Sequence, residues 1–160
     1  MRKSLNRYIQ KLEAHTIPFA RKMFLPLAHF SFFVIFFWFG LLKVLKLSPA
    51  NSLAEALTQK TVGMQYFDAL FLGLAVFECV IGLLFLFQRF IKQAVALLIV
   101  HMGIVCSPLL LVPELTWQQF GVPTLEGQYI IKNIVVVALA IGILAFSNKH
   151  RSVTKQLESQ

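Results

Sequence analysis

Two ionisable residues, Glu78 and His101, lie inside long apolar stretches of this sequence. Glu78 is the one charged residue in "LAVFECVIGLLFLF" (74–87), and His101 lies within "QAVALLIVHMGIVCSPLLLV" (93–112). A carboxylate and an imidazole can exchange protons, share a hydrogen bond or bind a polar ligand. Which of these chemistries is open to them depends on the solvent that surrounds the stretches.

The composition indicates that this solvent is lipid. Of the 160 residues 58% are hydrophobic, and the mean hydropathy is +0.72, whereas soluble chains are about 45–50% apolar. Four windows reach the length of about 20 residues that crosses ~30 Å of hydrocarbon. They do not alternate as barrel strands would. The windows are 24–42, 69–87, 93–112 and 129–146.

We therefore predict an all-α, polytopic membrane protein, a bundle of four transmembrane helices that forms a single domain over residues 1–160. The alternative is a soluble protein with four buried core helices, which would leave too little polar surface to cover them. Segment 1–22 carries Leu5, Tyr8, Ile9 and Leu12 at spacings of three and four, which predicts a helix lying in the membrane interface and ending before Pro18. A frayed polar tail is the alternative there.

Charge predicts the orientation of the bundle. Eleven Lys and Arg residues fall in segment 1–22, in the loop 88–92 and in the basic tail 147–160, against four on the opposite side. Cytoplasmic flanks carry the excess of basic residues, so both termini are expected in the cytoplasm. The net charge of +8 then indicates contact with the anionic head groups of the bilayer. No basic stretch is interleaved with exposed aromatic residues, so no nucleic-acid partner is predicted.

Depth predicts which polar residues meet. At ~1.5 Å of rise per residue, Glu78 and His101 both lie roughly 15 Å below the outer edge of their helices. Lys132 lies about 6 Å below that edge, and its side chain can reach inward or snorkel outward. An ionised group at the bilayer centre costs at least ~2.5 to 3.5 kcal/mol and therefore seeks a partner in the interior. Lys132 is thus the expected salt-bridge partner of Glu78, and His101 its expected neighbour.

Small residues indicate the direction of Glu78, and the motifs that are missing narrow the kinds of site it could serve. Ala75 and Gly82 share a helical stripe with Glu78, which favours close approach of a neighbouring helix and an inward-facing Glu78. Pro108 interrupts one helix interior, whereas transport sites at the midplane typically use paired interruptions. The sequence shows no His/Cys/carboxylate cluster at metal-ligand spacing and no nucleotide-binding or hydrolase motif, so no metal is predicted. Glu78 either joins helices structurally or serves a site for protons, a quinone or a polar substrate.

Four motifs, in this order, resemble the DoxX-like superfamily of small four-helix membrane proteins, nearest the branch of the bacterial reactive-chlorine-resistance inner-membrane protein. They are "FFWFGLLK" (36–43), "GLAVFECVIGLL" (73–84), "SPLLL" (107–111) and "EGQYIIKN" (126–133). The resemblance implies a multi-pass protein of the bacterial inner membrane in redox or oxidative-stress physiology. It also implies an inward-facing group of Lys43, Glu78, Lys132 and Asn133, with Gly40 at a helix contact.

Two classes of function follow. The first is an accessory component without catalysis of its own, which supports a membrane redox partner or a second copy of itself through a polar site that faces quinone or lipid. The second is a small transporter or channel in which Glu78 and His101 contact protons or substrate. If the chain takes part in catalysis, the expected role is that of a subunit of a quinone-linked oxidoreductase. No other cofactor is predicted.

Overall fold

Four apolar helical spans, each long enough to cross a membrane, make up most of the protein. The computed structural model describes residues 2–48 and 51–158, with side chains described for residues 10, 13–48 and 52–147. Within this part of the chain the spans cover Glu13–Val44, Met64–Phe85, Gln88–Leu111 and Leu125–Ser147. These spans confirm the predicted all-α, four-helix membrane fold. Because four is an even number, both termini lie on one side of the bundle, here called the terminal side, and the opposite side is the loop side.

The first span is built from three consecutive helical segments. They are α1 (Arg2–Phe32), a π-helical segment (Phe33–Trp38) and α2 (Phe39–Val44). The predicted helix end before Pro18 is wrong, because α1 runs unbroken through Pro18 and Pro26. The predicted interfacial location of segment 1–22 stays a prediction. Each proline removes one backbone hydrogen bond but keeps a helical φ, and residues 13–23 are exposed, so water or head groups can reach the carbonyls that lose a donor. The predicted interfacial side chains, Leu5, Tyr8, Ile9 and Leu12, lie outside the described side chains.

The second and third spans form an antiparallel pair joined by a short turn. A 3-10 turn (Met64–Tyr66) leads into α4 (Phe67–Phe85), and another (Gln88–Phe90) leads into α5 (Ile91–Cys106). The third span then continues as α6 (Pro108–Leu111), with Pro108 at a first helical position, where its missing N–H is not needed. Pro108 is buried, and it marks the interruption that the sequence predicts.

The loop side carries the short elements between spans. In chain order they are α3 (Asn51–Thr61), α7 (Pro113–Thr116), and a two-stranded antiparallel hairpin of β1 (Trp117–Gln119) and β2 (Val122–Pro123). The fourth span follows as α8 (Leu125–Ile131) and α9 (Asn133–Glu158). Thr124 begins α8, because its hydroxyl accepts a hydrogen bond from the Gly127 N–H at 3.1 Å. Helix α3 packs against both α4 and α6, and therefore ties the second and third spans together.

The apolar core lies in the terminal half of the bundle. The Phe32 ring stacks on Phe85 with centroids 4.0 Å apart, and Phe32 also stacks on Phe36 at 6.0 Å. Ile81 and Leu98 are fully buried around these rings. The layer on the terminal side of Glu78 and His101 is therefore packed with aromatic and aliphatic side chains.

Candidate functional site

Side chains from three spans meet at the carboxylate of Glu78. The Lys43 Nζ donates a hydrogen bond to Glu78 Oε1, and His101 Nε2 lies 3.3 Å from the same oxygen. Glu78 is 5% exposed and His101 is 2% exposed, so this contact is removed from bulk solvent. We call Lys43, Glu78 and His101 the Lys–Glu–His cluster.

Two glycines bring the first span against the second. A Cβ on Gly40 would lie 2.8 Å from the Ala75 carbonyl oxygen, and a Cβ on Gly82 would lie 2.5 Å from the Phe37 nitrogen. Side-chain carbons do not come this close to backbone atoms, so each position needs a residue without a Cβ. Ala75 is fully buried in the same contact. The backbones approach closely enough here for the Lys43 side chain to reach Glu78.

The end of α2 fixes the position of Lys43. The Lys46 N–H bonds to the Lys43 carbonyl at 3.0 Å, and the Leu47 N–H bonds to the Leu42 carbonyl at 2.8 Å, the pattern that closes many helix ends. Lys46 adopts φ 59°, a left-handed conformation that costs a residue other than glycine roughly 1–2 kcal/mol. Lys43 thus stands in the last helical turn, where a cation also interacts favourably with the helix dipole.

Aromatic rings hold the imidazole of His101. Phe36 and Phe77 present T-shaped contacts to it, with centroid distances of 5.6 Å and 6.0 Å. Since Nε2 faces a carboxylate, we assign its proton to Nε2, which makes Nδ1 an acceptor in the neutral ring. Among the described side chains, His101 Nδ1 and Glu78 Oε2 are buried atoms without a hydrogen-bond partner. The cluster therefore presents two buried acceptors and is suited to a ligand that donates hydrogen bonds.

Lys132, expected to pair with Glu78, lies elsewhere. Its side chain is exposed, and its Nζ lies 4.8 Å from the centre of the Tyr129 ring. The expected Lys132–Glu78 pair is therefore replaced by Lys43–Glu78, because the glycine contact brings the first span within reach of Glu78. Asn133 is half-buried at the start of α9, and none of the described contacts of the cluster involves it.

A second buried histidine, His29, lies in the terminal half of the bundle. Its Nδ1 donates to the carbonyl of Phe85, the last residue of α4, where carbonyls lack partners within the helix. His29 thus caps a helix of the neighbouring span. Sequence reasoning missed this role, which a histidine on one helix opposite the end of another could have suggested. The ring of Phe85, whose carbonyl accepts this bond, stacks on Phe32 in the apolar core.

Comparison with known proteins adds no family to this description. In the described part of the chain, no three His, Cys, Asp or Glu residues are grouped as ligands for a metal ion. Searches against protein-family models, curated proteins and solved structures return no match to this chain. The resemblance to DoxX-like proteins therefore stays a prediction, and the fold identifies the chain as an all-α, multi-pass membrane protein with four spans.

Proposed function

We propose that this protein is an accessory component of a membrane redox or stress-defence system, and that its Lys–Glu–His cluster holds the hydroxyl-bearing head group of a lipid-soluble quinol. The observation that carries the proposal is the pair of unpartnered acceptors, Glu78 Oε2 and His101 Nδ1, beside a buried ion pair. The resemblance to DoxX-like proteins points the same way, since some of these are subunits of quinone-reducing complexes.

The hydrogen-bonding capacity of the cluster favours the reduced form of such a ligand. Lys43 and the Nε2 proton of His101 are both directed to Glu78 Oε1. The buried atoms of the cluster without a partner, Glu78 Oε2 and His101 Nδ1, are both acceptors. A quinol offers hydroxyl donors to these acceptors, whereas a quinone offers carbonyl acceptors, which only the remaining N–H groups of Lys43 can serve. Buried polar atoms that find no partner destabilise a protein by about 1–3 kcal/mol each, so a donor that reaches them binds favourably.

Packing around the cluster favours a binding site over a path through the membrane. On the terminal side the cluster meets the core of Phe32, Phe85, Ile81 and Leu98, which is close to fully buried. On the loop side, the Lys43 side chain retains 12% exposure. A site closed on one side and accessible from the other suits an accessory binding role, so we favour it over a transporter or channel that uses Glu78 and His101.

Ligand retention tests this proposal directly. The full-length protein in lipid nanodiscs would be equilibrated with decylubiquinol or decylubiquinone, and the bound ligand measured by mass spectrometry. We expect the quinol to bind on the order of tenfold more tightly, as one additional hydrogen bond to a charged group allows. Glu78→Gln should abolish this preference, because the amide can turn its NH2 group toward the ligand.

A matched control separates the site from a general charge effect. Glu55→Gln makes the same chemical change at an exposed position on α3 and should leave quinol binding unchanged. Equal binding of both redox forms by the unmodified protein would contradict the proposal. Proton uptake into liposomes that disappears in Glu78→Gln, without quinol binding, would instead support the transporter.

A further inference from the structure

A cleft on the loop side lies apart from the Lys–Glu–His cluster. It lies between α3 and the junction of α6 with α7, and its volume of about 370 Å³ falls within the range of small-ligand sites. Val112, 2% exposed, is the most buried residue of its lining. Both apolar and charged residues line the cleft: Ala56, Gln59, Lys60, Val112, Glu114 and Leu115.

A cation and an anion stand together at this cleft. Lys60 Nζ lies 3.0 Å and 3.3 Å from the two carboxylate oxygens of Glu114. The two side chains are 50% and 58% exposed, so their remaining hydrogen-bonding positions are open to a ligand. An ammonium has three donors and a carboxylate about four acceptor positions, so the two groups can bind each other and a ligand together.

The cleft lies at the level of lipid head groups. Glu114 follows the end of the third span at Leu111, and Lys60 precedes the start of the second span at Met64. Each charge is therefore about one helical turn beyond the hydrocarbon, inside the polar layer that adds several ångströms on each side of the bilayer core. The apolar lining includes Val112, which directly follows the end of the third span at Leu111.

We propose that this cleft binds the head group of a phospholipid with a primary ammonium, the chemistry of phosphatidylethanolamine. Lys60 pairs with the phosphate, Glu114 accepts hydrogen bonds from the ammonium, and the start of the acyl chains lies along Ala56, Val112 and Leu115. A choline head group carries no N–H to donate to Glu114, and quaternary ammonium groups are usually bound by aromatic cages. A purely anionic head group meets repulsion from Glu114. This site is independent of the function proposed for the Lys–Glu–His cluster.

Native mass spectrometry of the full-length protein tests the assignment. The protein would be titrated in detergent with phosphatidylethanolamine, phosphatidylcholine or phosphatidylglycerol of identical acyl chains. We expect phosphatidylethanolamine to be retained on the order of tenfold better than the other two, as one charge-assisted hydrogen bond allows. Glu114→Gln should bring phosphatidylethanolamine down to the level of phosphatidylcholine. Lys60→Met combined with Glu114→Gln should lower the retention of phosphatidylethanolamine and of phosphatidylcholine, because the cation that pairs with the phosphate is also lost.

A control variant on the same side of the bundle carries the same loss of charges. Lys132→Met combined with Glu126→Gln removes one exposed cation and one exposed carboxylate outside the cleft, and should keep the preference of the unmodified protein. Equal retention of the three lipids by the unmodified protein would overturn the proposal. So would a preference that survives Glu114→Gln, or a preference for phosphatidylglycerol that depends on Lys60 alone.

Discussion

Two lysine–glutamate pairs of this protein show what burial does to the same chemistry. Lys43 and Glu78 meet inside the bundle with side-chain exposures of 12% and 6%, whereas Lys60 and Glu114 meet on the loop side at 50% and 58%. Each pair joins two elements that are distant in sequence. The first pair is largely removed from the surface of the bundle, and the second is largely exposed.

The difference lies in the alternatives that each charge has when its partner is lost. An exposed lysine or glutamate is solvated at once, so its ion pair adds little stability. A buried carboxylate without its partner must become protonated, draw in water or separate the helices, and each outcome is unfavourable. The buried pair is consequently expected to control the packing of the first and second spans, and the exposed pair to adjust a local contact.

The largest expected effect comes from removing the cation of the buried pair. Lys43→Met should lower the free energy of unfolding by about 3–5 kcal/mol, because Glu78 is left uncompensated in the interior. Lys60→Met makes the same substitution in the exposed pair and should cause a far smaller loss. Unfolding curves in mixed micelles with increasing SDS measure both variants. Similar losses for the two variants would break the contrast between the pairs.

A double variant sharpens this test. If Lys43 and Glu78 are energetically coupled, Lys43→Met combined with Glu78→Gln should recover part of the stability that Lys43→Met loses, since the uncompensated carboxylate is gone. Strictly additive losses would show that the two side chains are in contact but do not depend on each other.

A smaller effect is expected at the glycine contact that brings the buried pair together. Gly82→Ala places a methyl group 2.5 Å from the Phe37 nitrogen, and overpacking of this kind typically costs about 1–3 kcal/mol. Gly73→Ala is the matched control on the same helix, because nothing lies within 4 Å of its added Cβ. Alanine favours the helix there by about 1 kcal/mol. If Gly82→Ala proves as stable as Gly73→Ala, the spans do not approach as closely as the structure indicates.

The sequence was sufficient for the spans and for the depth of the site, because both depend on local properties. Hydrophobic length identifies a membrane helix, and a fixed rise per residue places Glu78 and His101 in one layer, where their side chains lie 3.3 Å apart. The rotation of each helix about its axis, which decides the direction of its side chains, could not be predicted in this way. Depth alone could not distinguish Lys132 from Lys43, because a long side chain reaches across several ångströms and the direction it takes is set by packing.

Backbone details show the same limit. No local sequence signal predicts the π-helical segment at Phe33–Trp38 or the left-handed conformation of Lys46. The segment precedes Lys43 and Lys46 follows it, so both belong to the backbone that positions the Lys43 side chain. Pro18 predicted a helix end by its local preference, but α1 continues through it. The clearest cue for Lys43 came from its place in a motif, since the depth estimate favoured Lys132.

The smallest expected effect concerns the titration of the exposed pair. A hydrogen bond from its own backbone N–H, and then the bond from Lys60, lower the pKa of Glu114 below the ordinary value of 4.5. Because this pKa is lower in the folded protein, the contact contributes its stability above pH 4.5 and loses it as the pH falls through the folded pKa. Lys60→Met should therefore raise the pKa of Glu114 without bringing it fully to the ordinary value, since the backbone hydrogen bond remains. Carboxyl NMR of Glu114 between about pH 2.5 and 6, a range that brackets the ordinary value of 4.5, measures the shift. An unchanged titration midpoint of Glu114 in Lys60→Met would show that solvent screens the charge of Lys60. The two side chains would then be close together without a measurable electrostatic interaction.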